Sequence, residues 1–214
     1  MELARAQAMV ATMAEMQEHH NRNVHPRWRE QDYAYYRAVW VECAELLDHF
    51  GWKWWKLQRP ELDQVKLEIV DIWHFGLSDL MRADALDVSV AERLLDAVPR
   101  GDAEPSSGGE AFRLAVEDLA AATLDRRSFA MAPFVEVLKT LPLPLDELFR
   151  MYVGKNVLNN FRQDHGYKTG QYRKLWQGRE DNEHLVELLT ALECPPEQMP
   201  ERLYEHLSER YGSA

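Results

Sequence analysis

The sequence predicts an all-α protein, a helical bundle, and three observations lead to that class. Apolar residues recur at spacings of three and four along most of the chain, which is the helical period. No stretch of useful length alternates polar and apolar residues as a strand does. Gly, Ser and Pro are concentrated in one stretch, PRGDAEPSSGGE, which reads as a loop. At 214 residues and 46% hydrophobic residues, the chain is expected to form a single domain over residues 1–214.

The predicted helices can be placed one after another from their apolar spacing and their end signals. Gly51 is expected to cap the second helix, and Pro60 to begin the third. Residues 1–82 and 145–180 are expected to form a rigid core whose four-helix bundle carries the functional site, with more variable helices in 83–144. The nine predicted helices span residues 2–21, 32–50, 60–81, 88–98, 109–125, 130–139, 144–163, 181–192 and 197–210.

Composition and charge exclude several classes of protein. The net charge of −11 argues against a general nucleic-acid binder, because binding to the phosphate backbone needs a basic surface. No apolar run is long enough to cross a membrane, and the first residues do not resemble a signal peptide. Two cysteines make no disulfide framework, which suits the cytoplasm. Residues 150–174 hold six basic residues against one acidic residue, and this basic island indicates a local anion site.

Two pairs of acidic residues lie within apolar helical segments. Glu42 and Glu45 are three residues apart, as are Glu68 and Asp71, so each pair shares one helix face. If the two helices pack antiparallel, four carboxylates converge, and buried carboxylates need cations. Ligation by oxygen alone selects hard ions, here Mg²⁺ with Mn²⁺ as a second possibility.

Two other interpretations of the acidic pairs stay open. Each pair could be a solvated stripe that forms salt bridges with Lys or Arg. Because Asp71 and His74 are also three residues apart, a ferritin-like di-iron site is a further alternative. That class needs two Glu-x-x-His helices, and here only Asp71-x-x-His74 and a poorly placed Asp181-x-x-His184 exist.

With both acidic pairs in place, the chain resembles the all-α NTP pyrophosphatase (MazG-like) superfamily, whose metal site is ExxE followed by ExxD. Two longer segments are similar to the signature blocks of one branch, the dimeric all-α dUTPases. These segments are ELLDHFGWKWWK and YVGKNVLNNFRQDHGYKTGQYRKLWQGREDN. The resemblance implies a Mg²⁺-dependent homodimer that hydrolyses dUTP, and also dUDP, to dUMP with release of diphosphate or phosphate.

The resemblance also implies roles for individual residues. Glu42, Glu45, Glu68 and Asp71 match the metal ligands, and Glu42 matches the carboxylate that activates the attacking water. Gln17 and Asn21 match the amides that read uracil. Independently of the resemblance, the Gly-rich composition of the segment HGYKTGQY makes it a candidate mobile lid over the phosphates. The groups implied to hold the phosphates and the sugar are Lys155, Asn159, Arg162, Tyr167, Lys174 and Asn182.

Two alternative functions stay open beside dUTP hydrolysis. The same fold and chemistry could act on another nucleotide, such as dCTP or a modified dNTP. From a different class, the chain could be a non-catalytic helical interaction protein whose metal site is only structural.

Overall fold

The computed structural model describes residues 2–97, 109–194 and 198–212, and these residues confirm the all-α class. Most of the predicted loop PRGDAEPSSGGE lies outside the described residues. The helices observed in the described part are α1 (Leu3–Val24), α2 (Tyr35–Phe50), α3 (Leu62–Arg82), α4 (Val88–Asp96), α5 (Glu110–Arg126), α6 (Met131–Thr140), α7 (Leu145–Asp164), α8 (Asp181–Ala191) and α9 (Met199–Gly212).

The chain divides into two compact units, Met1–Phe149 and Arg150–Ala214. The division falls inside α7, whose first turn belongs to the first unit. Within the first unit, α2 packs on α3 and α5, α1 packs on α3 and α4, and α6 packs on α4 and α5. That residues 1–214 behave as a single domain stays a prediction.

Helix α3 is buried on nearly every side, which is why it carries functional groups into the interior of the first unit. Its Trp73 stacks on Phe134 with ring centroids 5.5 Å apart, and the indole Nε1 lies 3.4 Å from the sulfur of Met13. At Gly76 the ring of Phe129 approaches so closely that a Cβ atom would lie 2.6 Å from it. A helix packed on all faces holds its polar side chains in fixed positions.

The observed ends of α2 correct one prediction and confirm another. The helix begins at Tyr35 rather than at residue 32, because Asp32 has a φ of 51°, in the left-handed region that a right-handed helix cannot use. Gly51 ends the helix as predicted: its φ is +94°, and its N–H donates to the carbonyl of Leu47. The third helix begins at Leu62, two residues after Pro60.

The second unit contains a short antiparallel hairpin that the sequence did not predict. Strands β1 (Leu175–Trp176) and β2 (Arg179–Glu180) are two residues long, too short for an alternating pattern. Gln177 and Gly178 between them both have positive φ, as a type I′ turn requires. The hairpin leads directly into α8, whose first residues form hydrogen bonds to Lys155 and Arg162 within the second unit.

Candidate metal and nucleotide site

Three of the four predicted metal ligands come together between α2 and α3. Glu42 on α2 meets Glu68 and Asp71 on α3, one carboxylate oxygen of each lying within 4.8 Å of the others. Glu68 is buried, at 5% exposed, and the other two are half-buried. Glu45 is exposed and lies outside this acidic cluster. The interpretation of both pairs as solvated stripes therefore does not hold for these three acids.

The acidic cluster is electrostatically crowded. The pKa of Glu42 is raised to about 9, chiefly by burial. The charge of Asp71, the contact with Glu68 and the charge of Glu45 raise it further. Carboxylates held this close repel one another unless a cation lies among them. The donor set is all oxygen, which suits Mg²⁺ or Mn²⁺. The residues present therefore fit a hard divalent ion.

His49 is a neighbour of the acidic cluster that the sequence reasoning missed. Its Nδ1 lies 2.8 Å from Glu61 Oε2, and its Nε2 lies 3.7 Å from Glu68 Oε1. The signal was present in the sequence, since His49 is seven residues from Glu42 and thus on the same face of α2. It links the end of α2 to the start of α3.

A second polar group in the first unit is built around the amides predicted to read uracil. Gln17 and Asn21 on α1 are buried, as are His74 and Ser78 on α3. Gln17 Nε2 donates to Asn21 Oδ1 and to Ser78 Oγ, both at 3.0 Å. Asn21 Nδ2 also donates to Ser78 Oγ at 3.0 Å, and His74 Nδ1 lies 2.7 Å from Gln17 Oε1. We call these four residues the amide network. Ser78 is the one member that the sequence analysis did not single out.

The second unit gathers four of the residues that were predicted to hold phosphates and sugar. Lys155 Nζ donates to Asn182 Oδ1 at 3.0 Å, and Arg162 Nη1 donates to Asn159 Oδ1 at 3.0 Å. Arg162 also donates to Asn182 Oδ1 at 3.2 Å. Lys155 is only 2% exposed, so it does not belong to a solvated cationic face. We call these four residues the cationic cluster.

Asp181 anchors the cationic cluster, although the sequence analysis gave it no role in holding the phosphates or the sugar. It is fully buried and accepts two parallel hydrogen bonds from Arg162, each 2.8 Å long, and a third from the hydroxyl of Tyr172. Burial alone would raise the pKa of Asp181, but the bonds and charge of Arg162 outweigh it and lower that pKa. The guanidinium is thereby held in one orientation.

The remaining predicted residues of the second unit are exposed. Tyr167 lies in a single 3-10 turn (Tyr167–Thr169) bounded by two glycines with positive φ, and its side chain is 50% exposed. Lys174 forms a surface salt bridge with Glu180 at 3.2 Å. Neither residue joins the cationic cluster through a described hydrogen bond, so both roles stay predictions.

The three tryptophans of GWKWWK lie at the surface rather than in the core. Trp54 is 90% exposed, and Trp52 and Trp55 are about half exposed. Their rings meet edge to face, with Trp55 at 5.3 Å from Trp52 and 5.4 Å from Trp54. They line an open groove of the first unit together with Phe112.

Comparison with protein families gives a family model, dUTPase, that matches residues 9–167, well over half of the chain. The chain belongs to the dUTPase family. It is therefore an enzyme, a dUTP diphosphatase, with dUTP as substrate and dUMP as product. The matched range contains the acidic cluster and the amide network, but ends before Lys174 and Asn182. A comparison with curated proteins gives no match. Among the described residues of this dUTPase, no helix could cross a membrane.

Proposed function

We propose that this dUTPase is Mg²⁺-dependent and that Glu42, Glu68 and Asp71 hold the ion. One observation carries the proposal: three carboxylates from α2 and α3 lie within 4.8 Å of one another in a largely buried place. Glu45, one turn further along α2, is the fourth ligand that we expect to join when an ion is present. Mn²⁺ has the same preference for oxygen ligands and should substitute.

The chemistry of the substrate explains why a cation is needed. A nucleoside triphosphate brings three to four negative charges, which the acidic cluster repels. When bound, Mg²⁺ neutralises phosphate charge and acidifies the attacking water. Glu42 then accepts the proton of that water, which it can do only when its carboxyl is ionised. Positive charge at the acidic cluster favours that ionised form. In-line attack releases diphosphate from dUTP and phosphate from dUDP, leaving dUMP in both cases.

The cationic cluster is proposed to bind phosphate oxygens. Arg162 presents a planar guanidinium that Asp181 orients, and Lys155 supplies a buried positive charge. Hydrogen bonds from such cations to phosphate are strong because both partners are charged. The amides of Asn159 and Asn182, which now accept from these cations, can turn to the sugar and the phosphates when nucleotide is bound. Tyr167 and Lys174 complete the predicted set.

Base recognition is proposed for the amide network, with Asn21 as the reader. Both amide hydrogens of Gln17 are donated inside the protein, to Asn21 and to Ser78. Gln17 therefore supports Asn21 rather than contacting uracil through its N–H groups. The homodimer and the cytoplasmic location stay predictions from the sequence.

The proposal is tested by measuring dUTP and dUDP hydrolysis with Mg²⁺ and with a chelator. Asp71→Asn removes one charge of the acidic cluster and should lower kcat by about 100-fold or more, in line with loss of a catalytic metal. Asp63→Asn is the matched control, because Asp63 is exposed in the first turn of the same helix. Turnover in the chelator, or an Asp71→Asn enzyme with more than about a tenth of the normal rate, would contradict metal binding at the cluster.

A further inference from the structure

Ser78 stands at the centre of the amide network, although neither the family resemblance nor the acidic pattern points to it. Its side chain is fully buried on α3. The hydroxyl has one hydrogen to donate and two lone pairs to accept with. The described contacts use all three, and their polarity follows from the groups that surround the oxygen.

The direction of the hydroxyl hydrogen is fixed by the backbone. Ser78 Oγ lies 2.9 Å from the carbonyl oxygen of His74, which can only accept. A second acceptor, Asn21 Oδ1, is further away at 3.4 Å. The hydrogen therefore goes to the His74 carbonyl, and the lone pairs of the hydroxyl face the two amides of α1.

The orientation of both amides follows from that hydroxyl. An oxygen that presents lone pairs attracts the NH₂ end of a carboxamide and repels its carbonyl end. Gln17 and Asn21 accordingly both turn their nitrogens to Ser78 Oγ, at 3.0 Å each. The carbonyl oxygen of Gln17 then faces His74 Nδ1, 2.7 Å away, which must carry a hydrogen because that oxygen only accepts. One backbone carbonyl thus sets the hydrogen-bond polarity of four side chains, those of Ser78, Gln17, Asn21 and His74.

Amide orientation is the property by which a carboxamide can tell uracil from cytosine. At positions 3 and 4, uracil offers a donor, N3–H, beside an acceptor, O4. Cytosine offers the reverse pair, an acceptor at N3 beside a donor at N4. An amide held in one orientation matches uracil and opposes cytosine, whereas the same amide turned over matches cytosine.

We propose that Ser78 is a specificity-determining positioning residue, which selects uracil over cytosine by preventing the amide of Asn21 from turning over. The inference rests on the proposed function, in which Asn21 reads the base. Among the described contacts, the Asn21 amide bonds to Gln17 and Ser78, which leaves one of its N–H groups and one carbonyl lone pair for a base. Ser78 itself touches no substrate and acts only through Asn21.

The test compares kcat/KM for dUTP and dCTP in Ser78→Ala, Ser78→Thr and the parent enzyme. Without the hydroxyl the two amide orientations become comparable, so the dUTP:dCTP ratio should fall about tenfold or more, with dCTP turnover rising. Ser78→Thr keeps the hydroxyl and should restore most of the ratio. Thr123→Val is the matched control: it removes another fully buried hydroxyl, one with no hydrogen-bond partner among the described residues, and should leave the ratio unchanged.

Melting temperatures and Asn21→Ala separate the outcomes. Equal losses for both nucleotides in Ser78→Ala, or a ratio that Ser78→Thr does not restore, would show that the hydroxyl is merely structural and overturn the inference. If Ser78→Ala does not fold, the Ser78→Cys variant, a poorer acceptor of similar shape, must show the lowered ratio instead. A change of ratio in Asn21→Ala without one in Ser78→Ala refutes the role of Ser78 alone. An unchanged ratio in Asn21→Ala refutes base reading by the amide network itself.

Discussion

Neutralising Glu42 should make the metal-free enzyme more stable while abolishing its activity. Glu42 lies in a place that is crowded with carboxylates, and its pKa rises there from an ordinary value of 4.5 to about 9. The folded protein therefore binds the Glu42 proton more tightly than the unfolded chain does. Linkage requires the free energy of unfolding to fall as pH rises from 4.5 to about 9, and to be unaffected by this group below that window.

The size of the effect follows from the width of that window. Each pH unit between the unfolded-state pKa of 4.5 and pH 7 corresponds to about 1.4 kcal/mol. At pH 7 the Glu42 carboxyl therefore lowers the free energy of unfolding by about 3 kcal/mol. Glu42→Gln keeps the shape and cannot ionise, and it should recover this amount. For a chain of this length that is roughly 6–12 °C in Tm. The gain should vanish near pH 4.5, where the parent carboxyl is protonated in both states.

The assay is thermal or urea unfolding of both proteins in a chelator between pH 4.5 and pH 9, repeated with Mg²⁺. Asp63→Asn is the control, because Asp63 is exposed in the first turn of α3 and away from the acidic cluster, and neutralising it should change stability far less. Mg²⁺ should reverse the order, stabilising the parent and not Glu42→Gln. A variant that is less stable than the parent by the same amount at every pH would refute electrostatic crowding at the acidic cluster.

Three further predictions concern stability and are read by urea unfolding. Asp181→Asn leaves the guanidinium of Arg162 half-buried without its anion and should cost about 3–5 kcal/mol; a loss below about 1 kcal/mol would contradict a buried ion pair. Gly76→Ala places a methyl group against the ring of Phe129 and should cost about 1–3 kcal/mol, and no loss would show that the ring moves freely. Thr123→Val removes a buried hydroxyl without a described partner and should stabilise by about 1 kcal/mol, whereas destabilisation would reveal a hidden partner.

The all-α fold could be predicted from the sequence because helical period and end signals are local properties. The end of α2 at Gly51 followed directly from such a signal. The start of the same helix did not, since the left-handed conformation of Asp32 has no mark in the apolar pattern. The hairpin of the second unit was missed for a related reason, as strands of two residues show no period.

The acidic cluster was predictable only in part, and helix geometry gives the reason. Residues three apart share a face but lie about 60° apart around the helix axis. Glu42 faces α3 and is half-buried, while Glu45 is turned towards solvent. Spacing therefore identifies which residues can converge, and the packing of the neighbouring helix decides which of them do.

Burial of the charged groups could not be predicted, because their partners are distant in the sequence. Lys155 is covered and bonded to Asn182, which is 27 residues away. A basic run in an acidic chain indicates an anion site, yet it does not say which lysine becomes buried. Asp181, which orients Arg162, lies at the start of a helix where a carboxylate is ordinary.

The sequence could predict where the amides of the site lie, but not the directions of their hydrogen bonds. The sequence places two amides on one face of α1, and an amide alone matches uracil or cytosine equally well. Discrimination needs an asymmetric neighbour, and in this enzyme the asymmetry begins at the backbone carbonyl of His74 and passes through the hydroxyl of Ser78. A backbone carbonyl inside a packed helix cannot turn over as a side chain can. If Asn21 reads the base as proposed, the choice between two bases depends on a backbone carbonyl inside α3, and it should survive side-chain motion at the surface that would weaken a contact made by an exposed residue.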